Sequence, residues 1–216
     1  MVHALADQAA AAQTPVDEDV LAAALESAWP AVRSGEGWVD RRERDLALDM
    51  ARKLARWLAS RTGALLGTEV SFDVDVGRAR LTGTVDRLER DAQGRAVIVD
   101  YKTGASVTSR SEAESHPQLT AYQLAAELGA FRDNGAAGAG GAALVHVRTS
   151  GTSATERHQP PLSEDAEAVE SAKNLVVEVA AGMAAATFPA VANRHCSFCP
   201  VRSACPLQEC GQQVTT

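Results

Sequence analysis

An α/β or α+β domain is predicted by three observations. Two-residue alternation of apolar and polar side chains is confined to the middle of the chain, both flanks carry Ala-rich helical periodicity, and the composition is globular, with 45% hydrophobic residues. At 216 residues the chain is long enough to bury a core as one domain. No apolar run reaches the roughly 18 residues that a membrane span needs. Met1-Val2-His3-Ala4 lacks the basic start and apolar stretch of a signal peptide, so a cytoplasmic protein is expected.

In chain order, helical spacing predicts helices over 16–32 and 40–62, separated by Ser34-Gly-Glu-Gly37. In the second of these, Leu46, Met50, Leu54, Trp57 and Leu58 share one stripe, which reads as core-facing. From Gly67 the pattern changes to strands over 68–76, 79–88 and 95–101, with Gly77-Arg78 as the first turn and Asp91-Ala-Gln-Gly94 as the second. A polar stretch over 103–115 leads to a helix that Pro117 can open, running to about Phe131. Gly135 to Gly141 reads as a flexible Gly/Ala loop, followed by a fourth strand over 142–148 and a helix over 163–186.

The chemistry concentrates between Gly83 and Gly104. Asp86 falls near the end of one predicted strand, and Asp100 and Lys102 fall at the end of the next. Strand side chains alternate, so Asp100 and Lys102 share a face, and a hairpin would bring Asp86 beside them. Two carboxylates and an amine then converge, a hard-cation site with a cationic group next to it, suited to metal-assisted phosphodiester hydrolysis. Tyr101, between them, is expected on the opposite face, in the core.

Charge and cysteine usage narrow the classes. The net charge of −7 argues against a free-standing, high-affinity nucleic-acid binder. Basic residues nevertheless crowd the same region: Arg52, Lys53, Arg56 and Arg61, then Arg78, Arg80, Arg87, Arg90, Arg95, Lys102 and Arg110. They form either a solvated surface or a phosphate-tracking face. All four cysteines, Cys196, Cys199, Cys205 and Cys210, lie near the C-terminus, a spacing that suggests a metal or iron-sulfur site more than disulfides. On spacing alone zinc is equally eligible, with Cys210 or His195 as fourth ligand.

Gly83-Thr-Val-Asp86-Arg, Val99-Asp100-Tyr-Lys102-Thr-Gly and His116-Pro-Gln118-Leu-Thr-Ala-Tyr122 together resemble the RecB-type branch of the PD-(D/E)XK nucleases, as in the RecBCD, AddAB and AdnAB helicase-nucleases. The resemblance implies a restriction-endonuclease-like fold, a mixed central sheet flanked by helices, with a C-terminal cysteine-rich metal-binding segment. It divides a single nuclease domain over 1–216 into a helical part (1–66), a catalytic core (67–150), a C-terminal helix region (151–193) and a cysteine cluster (194–216).

It also implies residue roles. Asp86 and Asp100 would hold Mg²⁺ or Mn²⁺, Lys102 would orient water and offset charge on phosphorus, and Gln118 and Tyr122 would contact DNA. His3 resembles the tail of a Gly-x-x-x-His motif whose histidine reaches the metal, which suggests a chain beginning inside that motif. Glu69 has a counterpart in some members. Cys196, Cys199 and Cys205, with Cys210 or a cysteine upstream of this chain, resemble an iron-sulfur staple and favour a [4Fe-4S] cluster over zinc. Implied partners are DNA, expected to be single-stranded, and a helicase motor domain or subunit. The competing expectation is an inactive nuclease-fold scaffold or DNA-binding module stabilised by the cluster.

Overall fold

The computed structural model describes residues 2–11, 17–33, 35–186 and 189–209, the side chains of Val2, His3, Gln8 and Ala11 aside. The chain forms two compact units, residues 1–177 and 178–216. Among the described residues, no helix is long and apolar enough to cross a membrane.

In the first unit, strands β1 (Ala64–Val76), β2 (Ala79–Arg90), β3 (Ala96–Lys102), β4 (Ala139–His146) and β5 (Thr155–Gln159) form one sheet in that order. The β1/β2, β2/β3 and β4/β5 pairs are antiparallel and β3/β4 is parallel. The parallel pair requires a crossover, which the short helix α4 (Arg110–Glu114) and α5 (Pro117–Glu127) provide. Helices α1 (Val2–Ala11), α2 (Glu18–Val32) and α3 (Gly37–Ala59) cover one face. There Leu21, Leu25, Leu54 and Trp57 pack on Val99, Tyr101, Val145 and Val147. On the other face Leu119 and Ala125 of α5 pack with Phe72, Leu88, Ile98 and Leu144. The result is a mixed sheet with flanking helices.

The predicted apolar stripe of α3 is where the core forms: Met50, Leu54, Trp57 and Leu58 are buried and Leu46 packs against them. Two short elements differ from expectation. Strand β5, Thr-Glu-Arg-His-Gln, lies at the sheet edge and has no apolar alternation. Helix α4 lies inside the predicted polar loop. Its capping box, in which Ser109 and Glu112 satisfy each other's amides, is a sequence-readable start signal.

The expected loop over Gly135–Gly141 also needs correction. Its last residues belong to β4, whose register slips between Ala96–Ala139 and Ile98–Ala142, so β4 carries an extra residue there. Gly141 absorbs the bulge with a φ of 107°, and a Cβ on it would meet the Gln159 carbonyl at 3.2 Å. Glycine serves close packing here.

The remaining helix, α6 (Ala166–Ala184), follows a 3₁₀ turn at Leu162–Glu164 and begins three residues later than predicted. The second unit holds its end and two further 3₁₀ turns, at Cys196–Phe198 and Arg202–Ala204.

Candidate active site

Strict alternation fails at one place on β2, and that place is Asp86. Val85 and Leu88 both lie in the α5-side core, although alternation would set them on opposite faces. The partner strand is distorted at the same level, though its register continues. Glu69 lies between the register pairs Thr68–Arg87 and Val70–Val85, opposite Asp86, and has a φ of 48°, a left-handed backbone that a non-glycine residue rarely adopts. Upstream, Gly83 is required by contact, since a Cβ would sit 2.7 Å from the ring of buried Phe72.

The ladder between β2 and β3 ends at Arg87–Val99. Beyond it the strands part, and the Tyr101 amide donates to the Asp86 carboxylate (Oδ2) at 2.7 Å. Asp86 is thereby fixed against the backbone between Asp100 and Lys102. Asp100 is buried, and the Lys102 ammonium lies 2.8 Å from its Oδ2. That contact is an ion pair without hydrogen-bond alignment, so Asp100 Oδ2 is a buried oxygen with no hydrogen-bond donor among the described residues. Tyr101 turns to the opposite face, where its ring packs edge-on against Trp57 at 5.7 Å and burial pushes its phenol pKa up.

Lys102 also donates to Gln118 Oε1 at 2.8 Å, and Gln118 Nε2 donates to the Tyr122 hydroxyl at 2.9 Å. The two residues share a face of α5. Phe72 holds the Tyr122 ring edge-on at 5.8 Å. The start of α5 is set from β5: Gln159 Nε2 donates to the carbonyls of Glu114 (3.1 Å) and His116 (3.3 Å), and buried Gln123 donates to Gln159 Oε1 at 2.9 Å. Asp86, Asp100, Lys102, Gln118 and Tyr122 therefore come together, with Glu69 across the strand from Asp86. The His3 side chain lies outside the described residues.

Two histidines beside this cluster carry no functional reading from the sequence. His146, on β4, is the register partner of Lys102 and is buried, and His116 caps α5. A polar residue inside the apolar run Ala142-Ala-Leu-Val-His146-Val is the signal that could have found the first. Burial, then the Arg157 and Lys102 cations, lower the His146 pKa, with Asp100 opposing; burial, then Lys102, lower that of His116.

An imidazole whose pKa falls on folding binds its proton more readily in the unfolded chain. Its neutral form stabilises the fold fully above the ordinary histidine value of 6.5, and that stabilisation is lost as pH falls below it. Thermal unfolding is accordingly expected to move to lower temperature between about pH 7.5 and about pH 5.5. A His116→Gln/His146→Gln variant should flatten that dependence.

The donor set suits a hard divalent cation, with carboxylates on adjoining strands and one of them holding a buried oxygen that, among the described residues, has the Lys102 ion pair but no hydrogen-bond donor. The cysteine expectation fares differently. Cys196, Cys199 and Cys205 are half-buried free thiols, and Cys196 Sγ accepts the Asn193 amide at 3.2 Å. Among the described residues no three His, Cys, Asp or Glu side chains gather closely enough to hold a metal, and Cys210 lies outside them.

A mixed sheet that joins an aspartate on one strand to an Asp-x-Lys on the next defines a protein of the restriction-endonuclease-like class. The chain belongs to the PD-(D/E)XK nuclease superfamily, whose family model matches residues 1–206. Membership implies a metal-dependent nuclease. Among solved structures, one titled "Crystal structure of SSO0001" is similar at 18% identity over 78% of each chain, with a TM-score of 0.38. A search of the curated proteins finds no match.

Proposed function

We propose that this chain is a divalent-metal-dependent deoxyribonuclease of the RecB type, the nuclease module of a DNA-repair helicase-nuclease. The observation that carries the reading is the seat of the Asp86 carboxylate on the Tyr101 amide, between Asp100 and Lys102. Asp86 and Asp100 would hold Mg²⁺ or Mn²⁺, with His3 as a further ligand. A bound divalent ion supplies Lewis acidity toward the phosphodiester and lowers the pKa of a coordinated water.

The protein's own groups do the rest. Asp100 and Gln118 fix the Lys102 ammonium from two sides, so a positive group stands ready where charge builds on phosphorus. Tyr122 sets the Gln118 amide so that its oxygen faces the lysine. The half-exposed face of that pair would be the place for a DNA strand. Single-stranded DNA fed by a helicase motor accounts for a nuclease whose net charge of −7 provides little phosphate affinity of its own.

Incubation with single-stranded and duplex DNA in Mg²⁺, in Mn²⁺ and in chelator tests this reading. Cleavage is expected with either metal, none in chelator, and none from Lys102→Met. Absence of cleavage in every metal would overturn it.

Glu69 is a third candidate carboxylate. Its left-handed backbone is strained, and such strain concentrates at functional sites. Glu69→Gly is expected to leave the fold intact, because glycine tolerates that conformation, while lowering cleavage. Urea unfolding and the DNA assay read the two effects separately.

The cysteine segment is assigned a [4Fe-4S] cluster on Cys196, Cys199, Cys205 and Cys210, with zinc as the alternative. Its role would be to pin the segment, since hydrolysis requires no redox change. Anaerobic purification with iron, sulfide and zinc analysis decides between the metals, and a metal-free preparation would dismiss both.

A further inference from the structure

The segment 103–109 leaves the sheet directly from Lys102 and has no regular structure of its own, yet it is held at both ends. At its start, the Lys102 carbonyl accepts the Val147 amide at 3.1 Å. At its end, both backbone groups of Thr108 are taken by side chains from two other strands. Its amide donates to His146 Nε2 at 3.3 Å, and its carbonyl accepts Arg157 Nε at 3.0 Å. Ser109 then enters the α4 capping box. Exposed loops ordinarily move more than the elements they join. Two buried or half-buried side chains spent on one loop residue are an investment in a fixed shape.

The segment also has the composition of a surface that meets a polyanion. In a chain of net charge −7, Thr103-Gly-Ala-Ser-Val-Thr-Ser109 contains no acidic residue, carries four hydroxyl groups and is flanked by Lys102 and Arg110. Hydroxyls and backbone amides are ordinary partners of backbone phosphates. His146 can take that role because a neutral imidazole accepts through Nε2 with its hydrogen on Nδ1, an atom that is buried and has no hydrogen-bond partner among the described residues.

We propose that His146 and Arg157 are positioning residues for DNA: by gripping Thr108 they hold the 103–109 segment, beside Lys102, in the shape against which the phosphate chain of the substrate is laid. This deepens the nuclease reading and rests on it for the identity of the ligand. Neither residue touches the reacting atoms. Their effect passes through the loop, so it falls on DNA affinity and KM before kcat.

The test compares wild type with His146→Leu, which removes the acceptor, His146→Gln, which restores one, and Arg157→Met on the edge strand, where folding is least at risk. Amide hydrogen exchange over 103–109 reads the grip without any DNA. Fluorescence anisotropy with a single-stranded oligonucleotide in chelator reads binding without hydrolysis, and cleavage in Mg²⁺ gives KM and kcat.

In His146→Leu and Arg157→Met, exchange is expected to rise, and Kd and KM to rise about three- to ten-fold, the worth of one hydrogen bond, with kcat nearly unchanged. His146→Gln should recover most of the loss. Unchanged exchange in both variants, or raised exchange with unchanged Kd, would overturn the proposal. A wild type that binds DNA but cuts none would defeat the nuclease reading and leave this one standing on exchange and Kd.

Discussion

Asp100→Asn is expected to remove metal-dependent cleavage almost completely while leaving the fold in place. Loss of residues that merely support metal ligands costs about 10- to 100-fold in affinity or activity, so loss of a ligand itself sets a floor near a hundred-fold. The fold should tolerate the change because the substitution is isosteric and discharges a buried group whose Oδ2 makes an ion pair and no hydrogen bond. Lys102 is not stranded, since it keeps Gln118 and is 31% exposed.

A thermal-shift experiment separates these effects. Wild type should gain stability with rising Mg²⁺, as any native-state ligand requires. The asparagine variant should melt at the same temperature with Mg²⁺ as with chelator. Retained cleavage, or a retained Mg²⁺ shift, would show that Asp100 holds no metal.

Much of this neighbourhood is legible in the sequence because it depends on local rules. Asp100 and Lys102 share a face by strand alternation, Asp91 to Gly94 turns β2 onto β3, and Gln118 and Tyr122 meet by helical spacing. Asp86 reaches the same spot by a different route. Alternation breaks at its position, and what anchors it is a carboxylate taking over an amide where the ladder stops. That substitution depends on two strands diverging, which no periodicity encodes.

His146 and Arg157 escape the local rules for a similar reason, since their partners on Thr108 are 38 and 49 positions away. Strand β5 carries no apolar alternation because its inward side chains meet their neighbours through hydrogen bonds, Glu156 with Trp57 and Gln159 with Gln123 and the carbonyl of Glu114. The two glycines of β4 look like a linker in composition, yet Gly140 has no room for a Cβ, which would meet the Asp91 carboxylate at 2.7 Å.

Removing Glu89 should cause a large loss of stability. Its carboxylate is buried and takes Arg87 Nε at 2.6 Å and Arg61 Nη2 at 2.7 Å. Arg61 continues to Glu156 at 3.3 Å, Glu156 accepts the Trp57 indole N–H at 3.1 Å, and the Arg61 guanidinium lies 4.8 Å above the Trp57 ring. The network thus ties the end of α3 to β2 and β5. Breaking a buried ion pair by removing one partner costs about 3–5 kcal/mol, because the charge left behind stays desolvated.

Glu89→Leu leaves Arg87, whose side chain is only 8% exposed, in that position, whereas Arg61, at 22%, retains Glu156. The double variant Glu89→Leu/Arg87→Leu should recover much of the loss, since an apolar pair is often as stable as the ion pair it replaces. Arg80→Ala, which breaks the solvent-exposed pair with Asp73, should leave stability nearly unchanged. Urea unfolding of the four proteins measures each step. A double variant no more stable than Glu89→Leu would mean that Glu89 acts through packing rather than through the buried charge of Arg87.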